Sequence, residues 1–99
     1  MSRGPDAGTL LDRRLRIAAE AAGVTIAITD SDWVRWSSAT FSGARHRVTV
    51  MSDDAGLAPW LATLPDADLP MRGHLVAELV VTGRRPGAAD LDVLTVEER

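Results

Sequence analysis

The chain has 99 residues and a formal net charge of −3, with 45% hydrophobic and 25% charged residues. This is the composition of a folded domain rather than a disordered segment, and its acidity argues against a surface devoted to nucleic acid or anionic lipid. There is no Lys, Asn, Gln, Cys or Tyr, which excludes a thiolate nucleophile or metal site, a disulfide framework, a Schiff-base amine and a P-loop lysine.

Residues 1–8 read as a disordered leader and residues 9–99 as a single α+β domain. Thr9 is placed as a helix N-cap, with Asp12 three residues on as the reciprocal carboxylate. The helix is expected from Leu10 to Ala22, with Leu11, Leu15, Ala18 and Ala22 on one stripe and Gly23 as its left-handed stop. Val24–Ile28 alternates and is β-branched, as a strand does. Asp30-Ser31-Asp32 is turn chemistry. Trp33–Phe41 reads as a second strand, with Trp33 and Trp36 on opposite faces. Ser42-Gly43-Ala44 reads as a turn. Arg45–Met51 follows as a third strand, with His46, Val48 and Val50 on one face and Arg45, Arg47, Thr49 and Met51 on the other.

Ser52-Asp53-Asp54 supplies capping groups for a second helix beginning near Ala58. Leu57, Trp60, Leu61 and Leu64 share its apolar face, and Pro65 ends it. Residues 65–73 form a loop. His74–Thr82 is the most apolar strand, with Leu75, Ala77, Leu79 and Val81 on one face, so a central place in the sheet is expected. Pro86-Gly87 suits a type II turn, and Asp90–Val96 returns as a fifth strand. The order α-β-β-β-α-β-β predicts a two-layer α+β domain: two helices on one face of a mostly antiparallel, five-stranded sheet.

Candidate chemistry is sparse. Asp30-Ser31-Asp32 and Asp66-Ala67-Asp68 open like calcium loops, but Phe41 and Ala77 stand where the bidentate Glu belongs. Asp90 and Asp92 share a strand face, as a solvated edge strand would show. His46 and His74 lack the spacing of a metal site, and no nucleophile elbow accompanies the serines near His46. Gly83 and Gly87 flank Arg84-Arg85-Pro86 and match no phosphate loop. Arg45 and Arg47 project from one face, where Arg35 from the neighbouring strand could join them in clamping an anion.

The first 64 residues follow the α-β-β-β-α order of double-stranded RNA-binding domains, a resemblance of order alone. Ser52-Asp53-Asp54 puts carboxylates where those domains carry cations, so nucleic acid is not the expected partner. The Trp that faces away from the core is the feature most suggestive of an interface. The expectation is a non-catalytic binding module that forms a homodimer and takes a protein or small anionic ligand, with Trp36, Arg45, Arg47 and His74 as candidate binding or interface residues. The alternatives are a nucleic-acid-binding domain, on the α-β-β-β-α order only, and a small enzyme using His and Asp in acid–base chemistry. No cofactor, metal or membrane association is expected, and the Ala- and Arg-rich, Lys-free composition fits a cytoplasmic protein from a GC-rich bacterium.

Overall fold

The computed structural model describes residues 6–98. Its first helix, α1 (Ala7–Ala21), is capped by Asp6, whose carboxylate accepts from the Thr9 amide at 2.8 Å. The backbone hydrogen bond from Thr9 also lowers the pKa of Asp6. The helix therefore starts earlier than the Thr9 cap implies, and only residues 1–5 of the expected leader lie outside the described residues. Leu11, Leu15 and Ala19 bury the apolar stripe. Gly23 stops the helix at φ +76°. The amides of Gly23 and Val24 bond back to the carbonyls of Glu20 and Ala19, the paired bonds of a Schellman terminus.

Four strands form the sheet, not five. Strand β1 (Ala27–Ser37) is continuous through the expected Asp30-Ser31-Asp32 turn. A register shift between Ile28 and Asp30 absorbs the extra residue. The polar side chains meanwhile find partners without a turn: Ser31 Oγ donates to Asp12 on α1 at 2.8 Å, and Asp32 accepts from the Trp33 amide. The reversal comes instead at Ser38–Phe41, where Ser38 and Phe41 exchange backbone and side-chain hydrogen bonds. Ser42, Gly43 and Ala44 thus belong to strand β2 (Ser42–Met51). With one strand fewer before the second helix, the order that resembled RNA-binding domains is absent.

Helix α2 (Leu57–Thr63) continues into a 3₁₀ turn at Leu64–Asp66. Leu57, Trp60, Leu61 and Leu64 are all buried, as their spacing implies. Asp54 does not cap α2. It accepts from the amides of Gly56 and Thr25, tying this loop to the segment before β1.

Strands β3 (His74–Arg85) and β4 (Ala88–Glu97) make a hairpin turned by Gly87 at φ +74°. Every pairing is antiparallel and the sheet order is β1-β2-β4-β3. So β3 is an edge strand and β4 a central one, the reverse of expectation. Two register shifts in β3, at Val76/Glu78 and Val81/Gly83, break its apolar alternation. The unbroken β2–β4 pairing carries the buried row Val48, Val50, Ala89, Leu91 and Val93. The apolar residues of both helices join that same cluster, so the helical layer covers one face of the sheet.

One polar pair lies inside this core. His46 Nε2 is 2.9 Å from Thr95 Oγ1, and the Thr95 hydroxyl also points to the Ala44 carbonyl. That carbonyl can only accept, so the hydroxyl proton goes to it and Nε2 of His46 is the donor. The Trp33 ring lies 6.3 Å from the imidazole. Burial pushes the His46 pKa below its ordinary 6.5, partly offset by the charge of Asp12. Because the folded-state pKa is depressed, the unfolded chain binds the proton more readily. Stability is then full above about pH 6.5 and falls as the pH drops toward the folded-state pKa. Thermal melts from pH 7.5 to 5 should show this loss in the native chain and less of it in His46→Met; equal slopes would refute the assignment.

Candidate binding face of the sheet

The strand register fixes what the other face carries. Successive residues alternate across a strand, and His46, Val48, Val50, Leu91, Val93 and Thr95 are buried toward the helices. Their neighbours therefore form the open face, in four rows from β1 through β2 and β4 to β3. The first row is Trp36, Gly43, Val96, Leu75; the second is Val34, Arg45, Leu94, Glu78. The third is Asp32, Arg47, Asp92, Val80, and the fourth is Asp30, Thr49, Asp90, Gly83. The face is apolar at one end and charged at the other.

The apolar end is uncovered. Val34 is 68% exposed, Leu75 55% and Phe41 in the adjoining turn 56%, while Val80, 43% exposed, stands in the third row beside Asp92. Phe41, Leu75 and Val96 line a shallow groove of about 580 Å³ rimmed by Glu97 and Glu98. Trp36 lies against Gly43: a Cβ at that position would come within 3.0 Å of the indole Cζ2 and would collide with the Thr95 carbonyl oxygen. The indole Nε1–H is buried there with no hydrogen-bond partner among the described residues.

At the charged end, Arg85 holds Asp90 through two hydrogen bonds of 2.8 and 3.2 Å, and Thr49 Oγ1 donates a third at 2.8 Å. The Arg85 bonds, with the Thr49 bond second, lower the Asp90 pKa to about 2. Arg47 and Asp92 approach at 3.7 Å. Asp90 and Asp92 therefore stand on a central strand and pair across it, correcting the edge-strand reading. Exposed pairs of this kind add little to stability.

Of the candidate residues, Trp36, Arg45 and Arg47 share this face. Arg45 is exposed and has no ion-pair partner among the described residues. Arg35 pairs with Ala44 and falls on the helix side of the sheet, so it does not join them. Nor does His74, whose Nδ1 donates to the Arg72 carbonyl at 3.1 Å beside the 67–71 loop. Trp33 is the inward tryptophan and Trp36 the outward one. Val34, Phe41, Leu75, Leu94 and Val96 were not singled out from the sequence. The alternation of β3 assigns Leu75 inward, and only the register shift at Val76/Glu78 turns it out.

Other chemistry finds little support. His46 is committed to Thr95, away from solvent. No group of three or more His, Asp or Glu among the described residues is arranged to hold a metal ion. A cleft of about 570 Å³ between the β3–β4 turn and α2 mixes Asp53 and Arg84 over Leu57 and Leu61. No helix among the described residues is long and apolar enough to cross a membrane. Comparisons with protein-family models, characterised proteins and solved structures find no match, so function is argued from the chain's own residues.

Proposed function

We propose that this protein is a non-catalytic binding module that works through the open face of its sheet and self-associates there. One observation carries the reading: both helices cover the same side of the sheet, while the other side, which also carries Trp36, leaves Val34, Leu75 and Val80 exposed. Apolar side chains exposed on one sheet face suit an interaction site, and Trp is enriched at such sites. The sheet edges are poorer docking sites. β1 carries Asp30, Asp32 and a register shift, and β3 carries two shifts, features that discourage edge pairing. A small anionic ligand at Arg45 and Arg47 is the weaker reading, because Asp32 and Asp92 line the same 190 Å³ groove and repel it.

A charge placed on the apolar end tests the reading. Sedimentation velocity of Leu75→Asp and Trp36→Asp should show self-association weakened at least tenfold relative to the native chain. Arg16→Glu, on the exposed side of α1, should associate normally. Equal association in all four proteins would move the contact away from this face.

A further inference from the structure

The proposed face also specifies how a second copy would sit on it, an inference that rests on the self-association reading. We infer that two copies pack face to face about a two-fold axis running roughly along the strands, between β2 and β4, so that Arg47 of each copy meets Asp92 of the other. Rotation about that axis lays β2 over β4 and β1 over β3 of the second copy while leaving each row opposite its own counterpart. In the first row, Trp36 then covers Leu75 of the second copy, and the notch at Gly43 receives its Val96. In the second row, Arg45, which lacks an ion-pair partner in its own chain among the described residues, meets Leu94 and comes beside Glu78 of the second copy. In the third, the two Arg47–Asp92 pairs close into a ring of four alternating charges.

The other in-plane two-fold axis, running across the strands through the centre of the face, fails on the same rows. It reverses their order, putting Trp36 on Asp30 and Val96 on Asp90. That arrangement would bury the Asp30 carboxylate against the Trp36 indole and set Arg45 on Arg47 of the second copy, a costly juxtaposition. The strand-parallel axis instead keeps the Trp36 row on its own counterpart and sets Arg47 against Asp92, with Val34 over Glu78 and Asp32 over Val80 at the two edges, and each copy presents the same patch, as a two-fold dimer requires. Packed sheets align to within about 30°, so the axis tilts from the strands by about half that angle. Strands about 4.8 Å apart and same-face residues about 6.8 Å apart give four rows on four strands a plan area of about 500 Å². The corrugated side-chain surface is larger than this plan area, to be set against the ~800 Å² per partner of standard interfaces.

Opposite-charge variants test the register. Arg47→Asp makes the central ring wholly acidic and Asp92→Arg makes it wholly basic. Each variant alone should be monomeric by size exclusion with light scattering, at concentrations where the native chain is dimeric. Mixed in equal amounts, they should form a heterodimer of about twice the 10.6 kDa chain mass, because each acidic pair then faces a basic one. Circular dichroism of each variant checks that it is folded, and because neither side chain is buried both are expected to be. A native chain that is monomeric throughout would overturn the self-association reading and this inference with it. A native dimer that Leu75→Asp disrupts, with no heterodimer on mixing, would leave the reading standing and overturn the two-fold register. Charge variants that remain dimeric alone would also overturn the register.

Discussion

Gly43→Ala should destabilise the protein by about 3 kcal/mol, the upper part of the range for forcing extra volume into a packed site. The added methyl group would collide with the Thr95 carbonyl oxygen and crowd the Trp36 ring. Thr95 lies on β4, which is hydrogen-bonded to β2 on one side and β3 on the other, so its backbone cannot retreat without breaking a ladder. The collision with the Thr95 backbone is independent of the indole, so variants that merely shrink Trp36 should not restore stability. With total stability near 5–15 kcal/mol for a domain of this kind, urea denaturation should show a much lower midpoint. An unchanged midpoint would mean that β2 and β4 do not approach as closely as described.

The second large effect separates two leucines that alternation treats as equivalent. Leu79 is buried against the core and Leu75 is exposed on the other side of the sheet. Leu79→Ala should therefore cost about 2–4 kcal/mol through lost burial and the cavity left behind. Leu75→Ala should stay within about 0.5 kcal/mol, as surface substitutions do. Both are read by chemical denaturation at a protein concentration low enough for the chain to be monomeric, so that association does not contribute. Similar losses would show that β3 keeps a single apolar face and that the shift at Val76/Glu78 is wrong.

That contrast also shows where the sequence stops being informative. Features set by nearby residues were legible: the Leu11–Leu15 stripe, the Gly23 stop, the Leu57–Trp60–Leu61–Leu64 face, the alternation of His46, Val48 and Val50, and the opposed tryptophans. Features set by pairing with a distant strand were not. A register shift moves every later side chain to the opposite face, and nothing local in Val76-Ala77-Glu78 announces one. Asp30-Ser31-Asp32 misled for a related reason: side chains that usually close turns instead bond to Asp12 on α1 and to the local backbone inside β1. Joining the first two expected segments into one strand turned five strands into four, and the pairing of β2 with β4 left the most apolar segment at the edge.

The candidate site divides along the same line. Arg45, Arg47 and Trp36 follow from alternation within single strands, so they were found. Leu75, Leu94 and Val96 join them only through the β2–β4–β3 pairing. His74 is chemically versatile as an imidazole, but its position beside the 67–71 loop takes it off the face. The buried His46–Thr95 pair shows why residue type alone is a poor guide: one imidazole is a core component whose protonation weakens the fold.

Light scattering of the native chain over a hundredfold dilution tests the central claim most directly. A mass near twice 10.6 kDa at high concentration, falling toward the single-chain value on dilution and shifted to weaker association by Leu75→Asp, is the expected result. A mass of one chain at every concentration, with tryptophan fluorescence unchanged throughout, would contradict the assignment of this sheet face as a self-association surface.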